Sequence, residues 1–438
     1  MKRFDCHCHV FNIVNVGVRA IYEQLHSSSE LFYSNLDQND FRGKLVLEQK
    51  DKLGLLGRIK KIAELIRIFK NDDEKIFGML DKHYHHQYVL LPLMFDGDFL
   101  LESYNDKDLS YMRELVENAC VSTDEETYSR LEAFSDEQHK DCSLDNDSQV
   151  IFDFIDEISE QASHSRNLRS IKSSGFQKQY EQIQLIVKDP KYKNRILPFL
   201  GVDPRRSNIK SYLNQVGKGK LFAGIKVYPP NGFSPMDKVL VGNDSIFEYC
   251  TNNRIPVVSH CSYGGFATPA MDIFVNGVII PESKSELQSI NGEYKFNIGL
   301  RDGFTQMVCE RARVLNSPLI WEKVLEMYPN LILVLAHFGS GNTQWQADIL
   351  RMMKIYPNLY TDVSCMSDSA IIANVKKVYI DNPDIQHKIL YGSDYFLDMF
   401  FNDSFDQYLN RMKEIFGSEI FDKISSENPI KYISKWYD

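Results

Sequence analysis

Short, nearly continuous apolar runs recur along this chain, and most of them stop at a polar or ionisable residue. They run from Phe4 to Val10, Tyr88 to Asp96, Ile196 to Pro204 and Phe222 to Tyr228. Four more run from Ile255 to His260, Leu331 to His337, Leu359 to Val363 and Lys388 to Asp394. A strand with one solvated face alternates apolar and polar residues, whereas a strand covered on both faces is apolar throughout. Helical periodicity fills the intervals, as in Trp321 to Tyr328 and Thr343 to Ile355. Strands alternating with helices predict an α/β fold with a parallel sheet. Eight such units predict a closed (β/α)8 TIM barrel in preference to an open sheet.

At 438 residues the chain is longer than the ~250 residues that eight strand–helix units need. The surplus gathers at about 12–87, 97–194 and 262–316. Connections this long carry structure of their own or serve as lids. We therefore expect residues 1–438 to form a single barrel domain with long helical insertions after the first, second and fifth strands. In the first insertion Leu53 to Phe69 is amphipathic, and the second is acidic through Asp124, Glu125, Glu126, Asp136 and Glu137. Either could form a homodimer interface.

Lysine and arginine number 50 against 60 aspartates and glutamates, a net charge of −10. That balance argues against a general affinity for nucleic-acid backbones. No apolar run reaches the ~18 residues that span a bilayer, so no membrane partner is expected. The start, Met1-Lys2-Arg3-Phe4, lacks the pattern of a secretory leader. Eight cysteines scattered over so long a chain read as reduced thiols, and the expected compartment is the cytoplasm.

The sharpest local feature is Asp5-Cys6-His7-Cys8-His9. On a regular strand Asp5, His7 and His9 share one face, with Cys6 and Cys8 on the other. Two imidazoles so placed can grip one metal ion from one side. A zinc knuckle would need the thiols and imidazoles together and a second cysteine pair, which the chain lacks. The cluster His83-Tyr84-His85-His86 reads as ordinary surface or core histidines. What sets the first pair apart is Lys226 within its apolar strand and His260, His337 and Asp394 closing theirs. In a barrel those strand ends converge on one face, and burying such groups without partners is costly.

The ordered set Asp-x-His-x-His, Gly224-Ile225-Lys226, Pro256-Val257-Val258-Ser259-His260, Leu335-Ala336-His337-Phe338-Gly339 and Tyr391-Gly392-Ser393-Asp394 resembles the amidohydrolase superfamily. It looks most like the amidohydrolase-related branch of metal-dependent TIM-barrel hydrolases. The likeness runs from Phe4 to about Asn428-Pro429 and leaves the two longest insertions outside it. Carried over by position, the resemblance implies His7, His9 and His260 as metal ligands and Asp394 as metal ligand and acid–base carboxylate. His337 matches a histidine that holds a second metal in some members and contacts substrate or water in others. Lys226 matches a lysine that bridges two metals when carboxylated; packed in the barrel or paired with a carboxylate, it could also remain a plain lysine. One departure is Tyr395-Phe396, where the family often has an aromatic residue and then proline.

Such a ligand set suits Zn²⁺ first, with Mn²⁺, Fe²⁺ or Co²⁺ as other occupants, one or two ions in all. The expected activity is hydrolysis of a C–N or C–O bond in a small amide, lactone or ester by a metal-activated water. Tyr228, Asn231 and Arg301 are candidate substrate contacts. The same branch contains non-oxidative decarboxylases of aromatic or unsaturated carboxylic acids, so a lyase is the alternative. A barrel that binds metal without turnover is a third reading, and an acid–base carboxylate beside the metal argues against it.

Overall fold

A computed structural model describes residues 2–10, 71–102, 175–340, 342–366, 368–395 and 404–437, with isolated positions at 63, 66, 67, 149, 150 and 153. Leu53 to Phe69, apart from three of those positions, and the acidic stretch of the second insertion lie outside the described residues.

Eight short parallel strands build the frame. They are β1 (Arg3–Cys8), β2 (Tyr88–Pro92), β3 (Phe199–Val202), β4 (Gly224–Val227), β5 (Val257–Ser259), β8 (Leu333–Leu335), β9 (Leu359–Asp362) and β10 (Ile389–Leu390). Two further strands, β6 (Asp272–Ile279) and β7 (Gln288–Lys295), pair with each other as an antiparallel hairpin. The main ladder runs β10-β9-β8-β5-β4-β3, and β1 pairs separately with β2. Backbone hydrogen bonds cross both seams. Leu90 N–H donates to Arg195 O, Leu197 N–H to Leu90 O and Met94 N–H to Phe199 O, tying β2 to β3. Cys6 N–H donates to Tyr391 O, and Asp394 N–H to His7 O, tying the end of β10 to β1. The ring is thereby complete, and the fold is a TIM barrel.

Strand alternation sorts the side chains. Ile225, Val227, Leu333 and Leu335 pack outward against the helices. Ile332, Val334, Tyr360 and Leu390 turn inward with Phe4, Cys6, Val89 and Leu91, and Tyr432 and Trp436 of helix Asn428–Tyr437 pack against them. The same inward parity carries Lys226 after Gly224, His260 after Val258, Asp362 after Tyr360 and Asp394 after Leu390 and Gly392. Functional side chains thus continue the inner face where the apolar filling stops.

β1 breaks the regular alternation. Asp5 faces Leu90 and Cys8 faces Pro92, so three steps on β1 match two on β2. One extra residue flips the side-chain parity. Cys6 therefore lies inside with Phe4, Cys8 packs outward, and Asp5 turns away from His7 and His9 to accept from Tyr84 Oη and Ser393 Oγ. The expected grouping of Asp5 with the two histidines is corrected by this bulge.

The segment 262–316 departs from the helical insertion expected from sequence. It opens with the β6–β7 hairpin and ends in helix Phe304–Asn316. Alternation through Ile273, Val275 and Ile279 buries one face of the hairpin against Phe296, Val314 and Leu315. Ser317 accepts from Leu319 N–H, and Pro318 opens the next helix, Pro318–Met327, so the two helices stay distinct.

Candidate metal centre

His7 and His9 leave the bulged end of β1 side by side, with their Nε2 atoms 3.3 Å apart. Asp394 Oδ1 lies 3.3 Å from His7 Nε2 and 3.0 Å from His9 Nε2. All three side chains are buried. Across the barrel mouth, His260 Nδ1 faces His337 Nε2 at 3.0 Å. The rings of His7 and His337 link the two pairs, with centroids 4.8 Å apart.

Each ring is anchored through its other nitrogen. His7 Nδ1 lies 2.9 Å from Asp362 Oδ2, and His9 Nδ1 lies 2.9 Å from the carbonyl of Leu93. His260 Nε2 lies 2.9 Å from the carbonyl of Gly264. His337 Nδ1 lies 2.9 Å from Ser364 Oγ. A carbonyl or carboxylate can only accept, so His7, His9 and His260 carry their protons on those outer nitrogens. Their inner nitrogens then present lone pairs to one another and to Asp394. Burial pushes the His7 and His260 imidazoles below their usual range and takes His337 down to about 4. Asp394 also moves down: burial alone would raise it, but the neighbouring His7, His9 and His337 hold it well below the usual carboxylate range.

Neutral imidazoles and a carboxylate therefore meet with no proton assigned between them. Among the described residues nothing donates a hydrogen bond to Asp394 Oδ1, although it is buried. This electron-rich cage fits a divalent cation, and the donor set His7, His9 and Asp394 is compact enough to share one. A second compact set, His7, His337 and Asp362, is better read as support, because its ring nitrogens already hydrogen-bond to Asp362 and Ser364.

Lys226 projects from β4 into the same interior. It is 2% exposed, and its Nζ has no hydrogen-bond partner among the described residues. Burial brings its ammonium down to about 8, against the pull of Asp362 and Asp394.

The other sequence candidates are placed differently. Tyr228 stacks on His260, with centroids 4.5 Å apart, and its hydroxyl accepts from Phe266 N–H. Asn231 is buried, donates through Nδ2 to Asp96 O, and leaves Oδ1 without a hydrogen bond. The side chain of Arg301 lies outside the described residues. Sequence reasoning missed Asp362 and Ser364: Asp362 lies within the run from Leu359 to Val363, and Ser364 just beyond it.

Two site residues and a neighbour carry unusual backbones. His337 and Asp394 have φ of 68° and 57°, and Phe338, next to His337, has 46°. Such left-handed positions cost on the order of 1–3 kcal/mol each and cluster at functional sites. Here they aim the side chains across the mouth instead of along the strand.

A family model described as amidohydrolase matches residues 184–433, more than half of the chain. No curated relative matches it. Solved structures give weaker likenesses. An uncharacterised TIM-barrel protein from Bordetella bronchiseptica is 15% identical, with 58% of this chain and 72% of that one covered and a TM-score of 0.35. A probable 2-pyrone-4,6-dicarboxylic acid hydrolase from Acinetobacter baumannii is 12% identical over 59% and 78%, with a TM-score of 0.35. A dihydroorotase from Campylobacter jejuni is 14% identical over 59% and 70%, with a TM-score of 0.30.

Proposed function

This chain belongs to the amidohydrolase family, and from that premise we propose a cytoplasmic, metal-dependent hydrolase of a small-molecule amide, lactone or ester. The observation that supports it most is the cage of His7, His9 and Asp394 around an undonated carboxylate oxygen. His7, His9 and Asp394 would hold the ion, with His260 as a further ligand from across the mouth and His337 beside it. Zinc suits this imidazole and carboxylate set, with manganese, iron or cobalt as other occupants. When bound, a divalent ion acidifies water and polarises a carbonyl.

The chain's own groups do the rest. Asp394 Oδ1 takes a proton from the attacking water and returns it to the leaving nitrogen or oxygen. His337 Nε2 faces the mouth, where it would contact the substrate or the attacking water. Lys226 would help to hold the metal if carboxylated, or would remain an amine under the pull of Asp362 and Asp394.

Metal content of protein purified without added metal tests the site. We expect about one or two equivalents, a clear loss in His7→Ala and His9→Ala, and retention in Asp394→Asn with activity down by about 10²–10⁴. Full metal content in both histidine variants would overturn the site. Carbon dioxide release from aromatic acids, with no hydrolysis of lactones or amides, would turn the reading to the lyase.

A further inference from the structure

Asp362 and Ser364 stand behind the histidines and touch both sides of the mouth. Asp362 Oδ2 meets His7 Nδ1, while its Oδ1 accepts from the backbone N–H groups of His337 and Ser364, at 3.0 and 3.1 Å, and from Ser364 Oγ. Ser364 gives its only proton to that carboxylate. Its oxygen therefore turns lone pairs towards His337 Nδ1 at 2.9 Å and His7 Nδ1 at 3.2 Å. Both ring nitrogens must then carry protons. Every one of these groups is buried, so water cannot replace a missing partner.

We propose that Asp362 and Ser364 form one positioning device that sets the tautomers of His7 and His337 together, so that both present bare Nε2 atoms to the mouth. The device also pins the left-handed turn of His337 through its backbone N–H. The inference rests on the metal-site reading only for its purpose, because the tautomers belong to the metal-free chain.

Asp362→Asn separates this role from simple packing. Three donors surround the Oδ1 position, so the amide oxygen settles there and the NH2 group faces His7 Nδ1. Two donors cannot face each other, and the ring proton moves to Nε2, towards His9 and Asp394. Imidazole nitrogen-15 shifts of the metal-free protein read this directly. We expect His7 to change from the Nδ1–H to the Nε2–H form, and zinc affinity in chelator competition to fall about 10–100-fold. Ser364→Ala should leave His7 in its Nδ1–H form and loosen only His337, whose Nδ1 keeps just the residue-364 carbonyl at 3.4 Å; it carries the test if Asp362→Asn does not fold. Unchanged tautomers of His7 in the first variant, or of His337 in the second, would overturn the device. A parent protein that binds no zinc but shows these tautomer shifts would overturn the metal reading and leave the device standing.

Discussion

Gly265 measures how closely the His260 ring is held. Its φ is +96°, and a Cβ there would lie 2.3 Å from His260 Nε2 and 2.5 Å from Tyr228 Oη. Gly265→Ala adds positive-φ strain to a clash with both rings and should cost on the order of 3 kcal/mol in urea unfolding; parent-like stability would mean the turn moves aside. Asp96 offers a pH test away from the metal ligands. Burial, opposed by Arg206 and reinforced by Asp98 and Asp203, pushes its carboxyl up to about 7. A raised carboxyl contributes stability below its unfolded value of 3.8 and loses it as pH climbs towards 7. Stability should therefore fall between about pH 4 and 7, and Asp96→Asn should flatten that slope; equal slopes would rule the titration out. Residue identity disclosed His260, His337 and Asp394, because an ionisable group ending an apolar run needs a partner. It disclosed little about Tyr228 and Asn231, whose partners Phe266 and Asp96 come from other segments. Asp362 gives a weaker signal, because Val363 follows it within the same run and no motif spans Asp362-Val363-Ser364.

At the scale of elements, apolar runs located all eight barrel strands, since burial on both faces writes itself into composition. The β1 bulge did not show, because its extra residue is defined by register against β2, some eighty residues away. Nor did the β6–β7 hairpin, whose alternation is interrupted by Gly277, where an added Cβ would lie 2.6 Å from Met236 O. Lys388 illustrates how one element fixes another. Its buried ammonium donates to the carbonyls of Met353 and Tyr356, at the C-terminal end of helix Thr343–Ile355. Cations there satisfy unpaired carbonyls and favour the helix dipole. Lys388→Met keeps most of the apolar stem and strands both acceptors, so a loss of about 1–3 kcal/mol is expected from chemical denaturation. A change below about 0.5 kcal/mol would mean that water reaches those carbonyls.

For the whole molecule, the cage of lone pairs predicts strong linkage between ion and fold. A divalent ion bound only by the native state stabilises it by about 2.7 kcal/mol at one hundred times its Kd. Zinc added to stripped protein should raise the urea midpoint in a concentration-dependent way, and His9→Ala should abolish the rise; an unmoved midpoint in the parent would sink the linkage. Closure of the ring has a consequence in time. Asp5 bonds to Ser393 across 388 residues, and His7 to Asp362 across 355. A ribosome adding about 5–20 residues each second needs on the order of 20–80 s to deliver the second half of such a pair. Throughout that interval the nascent chain carries His7 and His9 with their inner walls missing. Ring closure, and with it the cage, must therefore be a late event in biosynthesis, reached only after Asp394 has left the exit tunnel.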